Sequence, residues 1–385
     1  MVKRVGIIGG GQLAWMMAEA AAKLDIQLVV QTPSEADPAV AIAHHTIFAP
    51  IADASATADL ASQCDLITFE NEFVDLPALQ TLEQQGICFR PALSSLEPLL
   101  DKLHQRAYLQ NLGLPVPQFA NVTEAVRAEI LRADTIAALQ LEFPLVLKTR
   151  RHGYDGQGTF ILRDLPSLRV TLERLQNVPL LLEEFVPFER ELAAIAARSV
   201  GGEIAIYPIV ETQQENQVCQ RVFAPADLSK TVVAQVEAIA HTLLDSLQVV
   251  GVFGIELFLT PTGKVLVNEI APRVHNSGHF TLDACATSQF EQHLRAVCGL
   301  SLGEVRMTAP AAVMVNLLGY ESSTSDYQEK RDRLAAISQA HVHWYGKTES
   351  RPGRKLGHVT VLLDECDREK ATAIATQIET IWYEG

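Results

Sequence analysis

Glu256 lies inside the apolar run VVGVFGIELFLT, and Asn268 and Glu269 lie near the end of a second run, KVLVNEIAP. Thr260-Pro-Thr-Gly263 joins the two runs, so the pattern predicts a hairpin. Adjacent antiparallel strands bring such side chains to neighbouring positions on one face. Two carboxylates and an amide are costly in apolar strands unless they hold a cation. Two solvent-facing acids on an ordinary hairpin are the plainer alternative. The apolar flanks weigh against it, as does the dense polar loop that follows, Arg273-Val-His275-Asn276-Ser277-Gly278-His279.

Four other stretches carry chemistry. Lys148 ends an apolar run and is followed by Gly153-Tyr154-Asp155-Gly156-Gln157-Gly158-Thr159. Glycines let a backbone approach closely and the lysine neutralises charge, which suits a cover over a polyphosphate; a basic β-hairpin tip is the alternative. The segment lacks the GxxxxGK[ST] pattern of a Walker A loop. Leu180-Leu-Leu-Glu183-Glu184-Phe185-Val186 ends a strand in acids, with Glu191 soon after. Such an edge offers backbone groups to an adenine and a carboxylate to ribose hydroxyls, while taken singly these are surface acids. Gly9-Gly10-Gly11-Gln12-Leu13 has the strand, turn and helix-start order that presents amides to an anion. It does not complete GxGxxG, because Ala14 stands at the last position. Arg351-Pro-Gly353-Arg354-Lys355 is a basic turn suited either to phosphate or to solvent.

These pieces need a scaffold of several domains, and 385 residues supply one. Strands predicted over residues 3–8, 26–31, 65–70 and 87–90 alternate with helices over 12–24 and 76–84, which points to a parallel sheet ending near residue 92. A helix predicted over 93–112 is closed by Gly113 and the prolines of Leu-Pro-Val-Pro. A small α+β lobe follows to residue 188, with a helix over 122–140, strands over 144–149, 159–162 and 180–185, and the glycine loop between. Residues 189–310 read as antiparallel strands, a long helix over 229–248, the opening hairpin and a helix over 281–297. Residues 311–385 read as a small C-terminal module with strands over 313–318, 341–345 and 358–363.

The net charge of −15 argues against nucleic acid, whose phosphates need a surplus of Lys and Arg. Six scattered cysteines without a CxxC pair read as free thiols in a reducing compartment. No window approaches eighteen apolar residues, and the apolar run near the N-terminus is short and broken by glycines. The expectation is a cytoplasmic protein with no membrane partner.

The order of lysine strand, glycine loop, acidic hinge and Glu…Asn-Glu hairpin resembles the ATP-grasp enzymes. GGGQL, GYDGQG, NEIAPRVHNSGH, SQFEQHLRA, HWYGK and RPGRKLGH resemble, within them, the N5-carboxyaminoimidazole ribonucleotide synthase family, along essentially the whole chain. The resemblance implies an ATP-grasp fold with an N-terminal Rossmann-like (preATP-grasp) domain. It implies a Mg-ATP ligase that carboxylates 5-aminoimidazole ribonucleotide with bicarbonate, through carboxyphosphate, in purine biosynthesis. It also implies a homodimer through the first and third domains.

Carried over by position, Glu256, Glu269 and Asn268 hold magnesium, as two ions. Lys102, Lys148 and the cover Gly153, Tyr154, Asp155, Gly156, Gln157, Gly158 and Thr159 meet the ATP phosphates. Glu183, Glu184, Phe185 and Val186 form the adenine hinge. Glu191 takes the ribose, and Gln214, Asn268 and Glu269 complete the ATP site. Tyr154, Asp155 and Arg273 are the expected catalytic groups. Glu70, Glu72, His275, Asn276 and Ser277 line the ribonucleotide and bicarbonate side. Arg351, Arg354 and Lys355, with Gly11, Gln12 and Leu13, hold its phosphate. The family often carries Arg or Lys where this chain has Gln157. Formate-dependent glycinamide ribonucleotide transformylases, biotin carboxylases, nicotinamide-dependent oxidoreductases and non-catalytic nucleotide-binding modules are the rival readings. RPGRKLGH, the incomplete glycine fingerprint and the intact Glu256/Glu269 pair speak against them.

Overall fold

The computed structural model describes residues 2–130, 133–151, 153 and 158–384, with side chains excluded at 128, 130 and 133–135. A four-stranded parallel sheet comes first, in the order His45–Phe48, Ile26–Thr32, Lys3–Ile8, Leu66–Phe69. Its strands Ile26–Thr32, Lys3–Ile8 and Leu66–Phe69 are apolar on both faces because both faces are covered. Ile7 and Val30 enter one core, while their neighbours Ile8 and Val29 enter another. The helix expected over 12–24 is two pieces, Gln12–Trp15 and Ala18–Lys23. The Met17 N–H turns back three residues to Ala14 at 3.1 Å, which tightens the chain between them.

The stretch expected as one helix over 93–112 is also divided. Leu93–Leu96 and a short 3₁₀ turn, Glu97–Leu99, precede Lys102–Asn111. Pro98 has no N–H to continue the first turn, and the Asp101 carboxylate restarts the helix by accepting the N–H of Leu103 at 2.9 Å. In the small lobe, Val122 closes a strand, Phe119–Val122, instead of opening a helix.

The small lobe's antiparallel sheet runs Phe119–Val122, Leu180–Glu184, Leu145–Thr149, Thr159–Leu162. The period-two alternation sorts its side chains. Leu145, Leu147, Leu180 and Leu182 enter the lobe's core. Val146, Lys148, Leu181 and Glu183 therefore share the opposite face, and the pairing of Val146 with Glu183 sets Lys148 diagonal to that carboxylate.

The remaining strands form one nine-stranded sheet. Its path is Val265–Ala271, Gly251–Leu259, Arg190–Arg198, Val210–Glu215, Val218–Ala224, Ala311–Leu318, Lys355–Leu363, Ala340–Trp344, with Ile204–Ile206 beside Arg190–Arg198. The sheet crosses residue 310 without a break, since Val218–Ala224 pairs with Ala311–Leu318. The long helix Lys230–Leu247 lays Val232, Val236, Ile239, Leu243 and Leu247 against one face. A helix not expected from the sequence, Arg368–Tyr383, covers the far end with Ala371, Ala375, Ile378 and Trp382. Its N-cap Asp367 and this helical spacing are the signals that mark it.

His293 pins the parallel sheet to the large one. Its Nδ1 accepts the Val252 N–H at 3.1 Å and its Nε2 meets the Thr68 hydroxyl at 2.8 Å. Burial pushes the imidazole from 6.5 down to about 4, so the folded state binds fewer protons there than the unfolded chain. Stability is therefore complete above about pH 6.5 and falls as the pH drops toward 4, by about 3 kcal/mol for this group. Buried His279 and His358, also held below the ordinary range first by burial, add to the same trend. Melting midpoints across this window are expected to fall with pH, less steeply in a His293→Gln variant. Equal slopes would refute the assignment.

Candidate active site

Hairpin register places Glu256 directly opposite Glu269. The register slips between Glu256 and Leu257, which leaves Asn268 as the extra residue beside the pair. Asn268 Nδ2 donates to Glu256 Oε2 at 3.3 Å, and Lys148 Nζ donates to Asn268 Oδ1 at 3.1 Å. Lys102 Nζ pairs with Glu269 Oε1. The two carboxylates keep 30% and 40% of their side chains open to the cleft, so a ligand can reach them. Glu256 is pushed up to about 7, first by burial and then by Glu269. Glu269 goes the other way: burial alone would raise it, but the Lys102 ammonium holds it below the usual carboxylate range.

The helix Lys102–Asn111 supplies three side chains at i, i+3 and i+4 on one face. Lys102 reaches Glu269. Gln105 accepts the Ile270 N–H at 2.9 Å and returns a bond to its carbonyl at 3.1 Å. Arg106 pairs with Glu183 and donates to the Val267 carbonyl at 3.2 Å. Asp101, before this helix, accepts Arg150 Nη2 at 2.8 Å. Asp101, Gln105 and Arg106 escaped the sequence reading; the signal was an N-cap acid followed by Lys, Gln and Arg at helical spacing.

Glu183 was expected at the adenine hinge. Its carboxylate turns inward, 2% exposed, between Arg106 and Lys148, the latter at 2.8 Å. Burial alone would raise it, and the two cations bring it down to about 2. Lys148 is lowered by its burial in spite of this partner. Glu184 accepts the Gln118 N–H at 2.9 Å, and Val186 is buried. Glu191 is pushed up to about 7 by burial and then by Glu256. Gln214 sits at a register slip of Val210–Glu215, and nearby Gln217 donates to the Thr159 carbonyl at 3.3 Å, where the glycine cover rejoins the sheet. Gly153 lies on the approach to that cover, and Gly158 has a φ of +81° over Thr149. Tyr154, Asp155, Gly156 and Gln157 lie outside the described residues.

The polar loop after the hairpin folds back over it. His275 Nε2 lies 3.4 Å from Glu256 Oε1, and its Nδ1 meets Ser277 Oγ at 2.8 Å. A Cβ at residue 254 would strike the His275 side chain, so only glycine lets this loop close. Arg273 grips both oxygens of Glu72, at 2.6 and 3.2 Å, and its charge also acts on Glu70 and Glu269. Arg273 thus stands between the hairpin acids and the first domain. Asn276 exchanges two amide hydrogen bonds with Asn316, at 2.9 and 2.8 Å.

Glu70 occupies the glycine turn. Its carboxylate takes the N–H groups of Gly11 and Leu13 yet is raised, chiefly by burial. A Cβ at Gly9 or Gly11 would collide with it. The turn that looked ready for a phosphate already carries an anion from its own chain. Gln12 opens the short helix behind it. Arg351 is exposed at the basic turn, Arg354 Nη1 donates to the Glu349 carbonyl at 2.8 Å, and the Lys355 charge reaches Glu256.

A parallel first domain, a small antiparallel lobe and a carboxylate hairpin facing two lysines define an ATP-grasp enzyme. Residues 2–98 match the ribonucleotide synthetase preATP-grasp domain, 107–290 the ATP-grasp domain, and 312–372 the phosphoribosylaminoimidazole carboxylase C-terminal domain. The chain belongs to the N5-carboxyaminoimidazole ribonucleotide synthase family. It is 54% identical to the synthase of Synechococcus elongatus over 99% of this chain and 96% of that one. The synthetase structure from Thermotoga maritima matches with a TM-score of 0.85 at 38% identity, covering 98% of each chain. The Aspergillus clavatus synthase, solved with ADP and 5-aminoimidazole ribonucleotide, matches at 0.90 and 31% identity, again over 98% of each. No helix among the described residues is long and apolar enough to cross a membrane.

Proposed function

We infer that this chain catalyses ATP-dependent carboxylation of 5-aminoimidazole ribonucleotide by bicarbonate, a step of purine biosynthesis. The observation that carries this reading is the facing pair Glu256–Glu269, linked through Arg273 to the acids of the first domain, in a chain related end to end to synthases of that reaction. A bicarbonate oxygen takes the γ-phosphoryl group of ATP, giving carboxyphosphate and ADP. The ribonucleotide amine then bonds to the carboxyl carbon, directly or after CO2 is released, and phosphate departs.

Glu256, Glu269 and Asn268 offer only hard oxygen donors, which suit Mg2+, and two ions fit the resemblance. Bound Mg2+ supplies charge neutralisation to the phosphates. Lys102 and Lys148 do the same from the protein side and orient the chain of phosphates. Glu183 acts through Lys148, fixing its ammonium over the hairpin. Glu184, Phe185 and Val186 remain the adenine edge in this reading, with Glu191 at the ribose and Gln214 nearby. The cover around Tyr154 and Asp155 excludes water from the labile carboxyphosphate. Arg273, His275, Asn276 and Ser277 face the ribonucleotide and bicarbonate, with Glu70 and Glu72 behind Arg273. Because Glu70 fills the glycine turn, the phosphate falls to Arg351, Arg354 and Lys355. The reading includes a cytoplasmic homodimer, in keeping with six free cysteines; the mass in solution checks the dimer.

ADP release is expected to need both the ribonucleotide and bicarbonate. Release that ignores the ribonucleotide would sink the choice of acceptor while leaving the ATP site standing.

A further inference from the structure

Away from the hairpin acids, three strands of the large sheet carry a row of polar side chains. Asn316 pairs in register with His358, and His358 with His343. Directly paired residues of antiparallel strands share a face, so all three point to the side that receives the loop Arg273–His279 and the short helix Thr281–Ala284. Asn316 is spent on Asn276. The two histidines meet Asp283 of that helix: His343 Nε2 lies 2.9 Å from Asp283 Oδ2, and His341 Nδ1 comes within 3.5 Å of its other oxygen.

His358 is the unexplained member. It is 0% exposed, and its Nε2 has no hydrogen-bond partner among the described residues. Its Nδ1 is engaged by the Tyr345 hydroxyl at 2.8 Å. A buried polar nitrogen without a partner is unfavourable and calls for an explanation. If Nδ1 donates to the tyrosine, Nε2 is a bare lone pair. An imidazole anchored through one nitrogen with the other lone pair exposed is how proteins present a histidine to a metal. Buried His279 offers a contrast. Its Nδ1 accepts from Gln289 at 3.0 Å, so its unpartnered Nε2 carries the proton and cannot ligate.

We propose that Asp283, His343 and His358 form a second cation site, made for a late first-row divalent ion of the zinc type. One donor atom from each lies within 4.8 Å of the others. A tetrahedral zinc with bonds of about 2.0–2.2 Å draws its donors to roughly 3.4 Å apart, so closure asks for a shift of about an ångström. The His343 and His358 rings are stacked, with centroids 4.5 Å apart and 14° between their planes, so His343, on the partly exposed side, must also turn its ring edge-on to bring its lone pair onto the ion. Two imidazoles and one carboxylate favour zinc, cobalt or nickel over the magnesium that an all-oxygen set prefers. His341, two residues before His343 on the same strand face, stands where it can add a fourth donor. A bound ion ties the strands Ala340–Trp344 and Lys355–Leu363 to the helix after the polar loop, and so braces the wall against which Asn276 is held.

The test titrates chelator-stripped enzyme with Co2+ in excess Mg2+ and follows the visible d–d bands. One equivalent per chain is expected, with intense bands of nitrogen-containing tetrahedral coordination, displaced by Zn2+. His343→Gln and Asp283→Asn, at partly exposed positions, are each expected to weaken binding by about 10-fold or more, while Glu256→Gln leaves the bands in place. Zn2+ is also expected to raise the melting midpoint of the natural chain and not that of His343→Gln. Absence of the bands overturns the proposal. So does Co2+ affinity unchanged in both His343→Gln and Asp283→Asn, or bands that vanish with Glu256→Gln.

Discussion

Glu269→Gln is expected to lower turnover on the order of 10³-fold while leaving the fold in place, a loss in the range seen when one preorganised charge is removed from a site. The glutamine keeps the shape and one oxygen but removes the negative charge that, with Glu256, would hold the cations on the phosphates. Stability is expected to change little. Glu269 is 40% exposed, and a partly solvated pair with Lys102 contributes about 0–1 kcal/mol. Removing it also relieves the repulsion that helps raise Glu256. ADP release at saturating substrates and a thermal melt separate the two effects. Full activity in a folded variant would rule out a role for Glu269 in holding the metal.

Arg106→Ala is the converse case, where the first effect is on the fold. Arg106 and Glu183 are almost wholly buried, at 2% each, and Lys148 is the only other cation paired with that carboxylate among the described residues. Breaking a buried pair from one side costs about 3–5 kcal/mol, because the remaining charge is left short of a partner. The melting midpoint should drop sharply. Lys148 is then drawn further toward Glu183 and away from Asn268, so the KM for ATP should rise as well. Arg106→Lys should recover part of the stability, since the charge returns without the second bond to Val267. A melt indistinguishable from the natural chain would show that the triad is not what holds Glu183.

The hairpin was legible because two acids in an apolar alternation are a local anomaly. The parallel first sheet was legible because strand and helix periods alternate there. Helix boundaries were not: Pro98 and the tight turn at Met17 divided stretches whose periodicity looked continuous. The inward turn of the Glu183 carboxylate was hidden for a related reason. The residues that claim it, Arg106 and Lys148, come from a helix and a strand far away in the chain, and no local pattern records that meeting. The same holds for Glu70, whose carboxylate reaches from the end of the neighbouring strand into the glycine turn.

By itself the sequence determined most of the strands, though not His45–Phe48 or Phe119–Val122, and it placed one over 87–90 where only an isolated bridge forms. It also determined which side chains alternate onto one face and which family of motifs the chain carries, because these follow from short-range periodicity and residue chemistry. Only the tertiary structure decided which charges meet. It put Lys102 on Glu269 and His275 on Glu256, split the two carboxylates in opposite directions, and ran one sheet from the hairpin to His343. Pairing and desolvation act through distance in space, and that distance is fixed by the packing of elements remote in the chain.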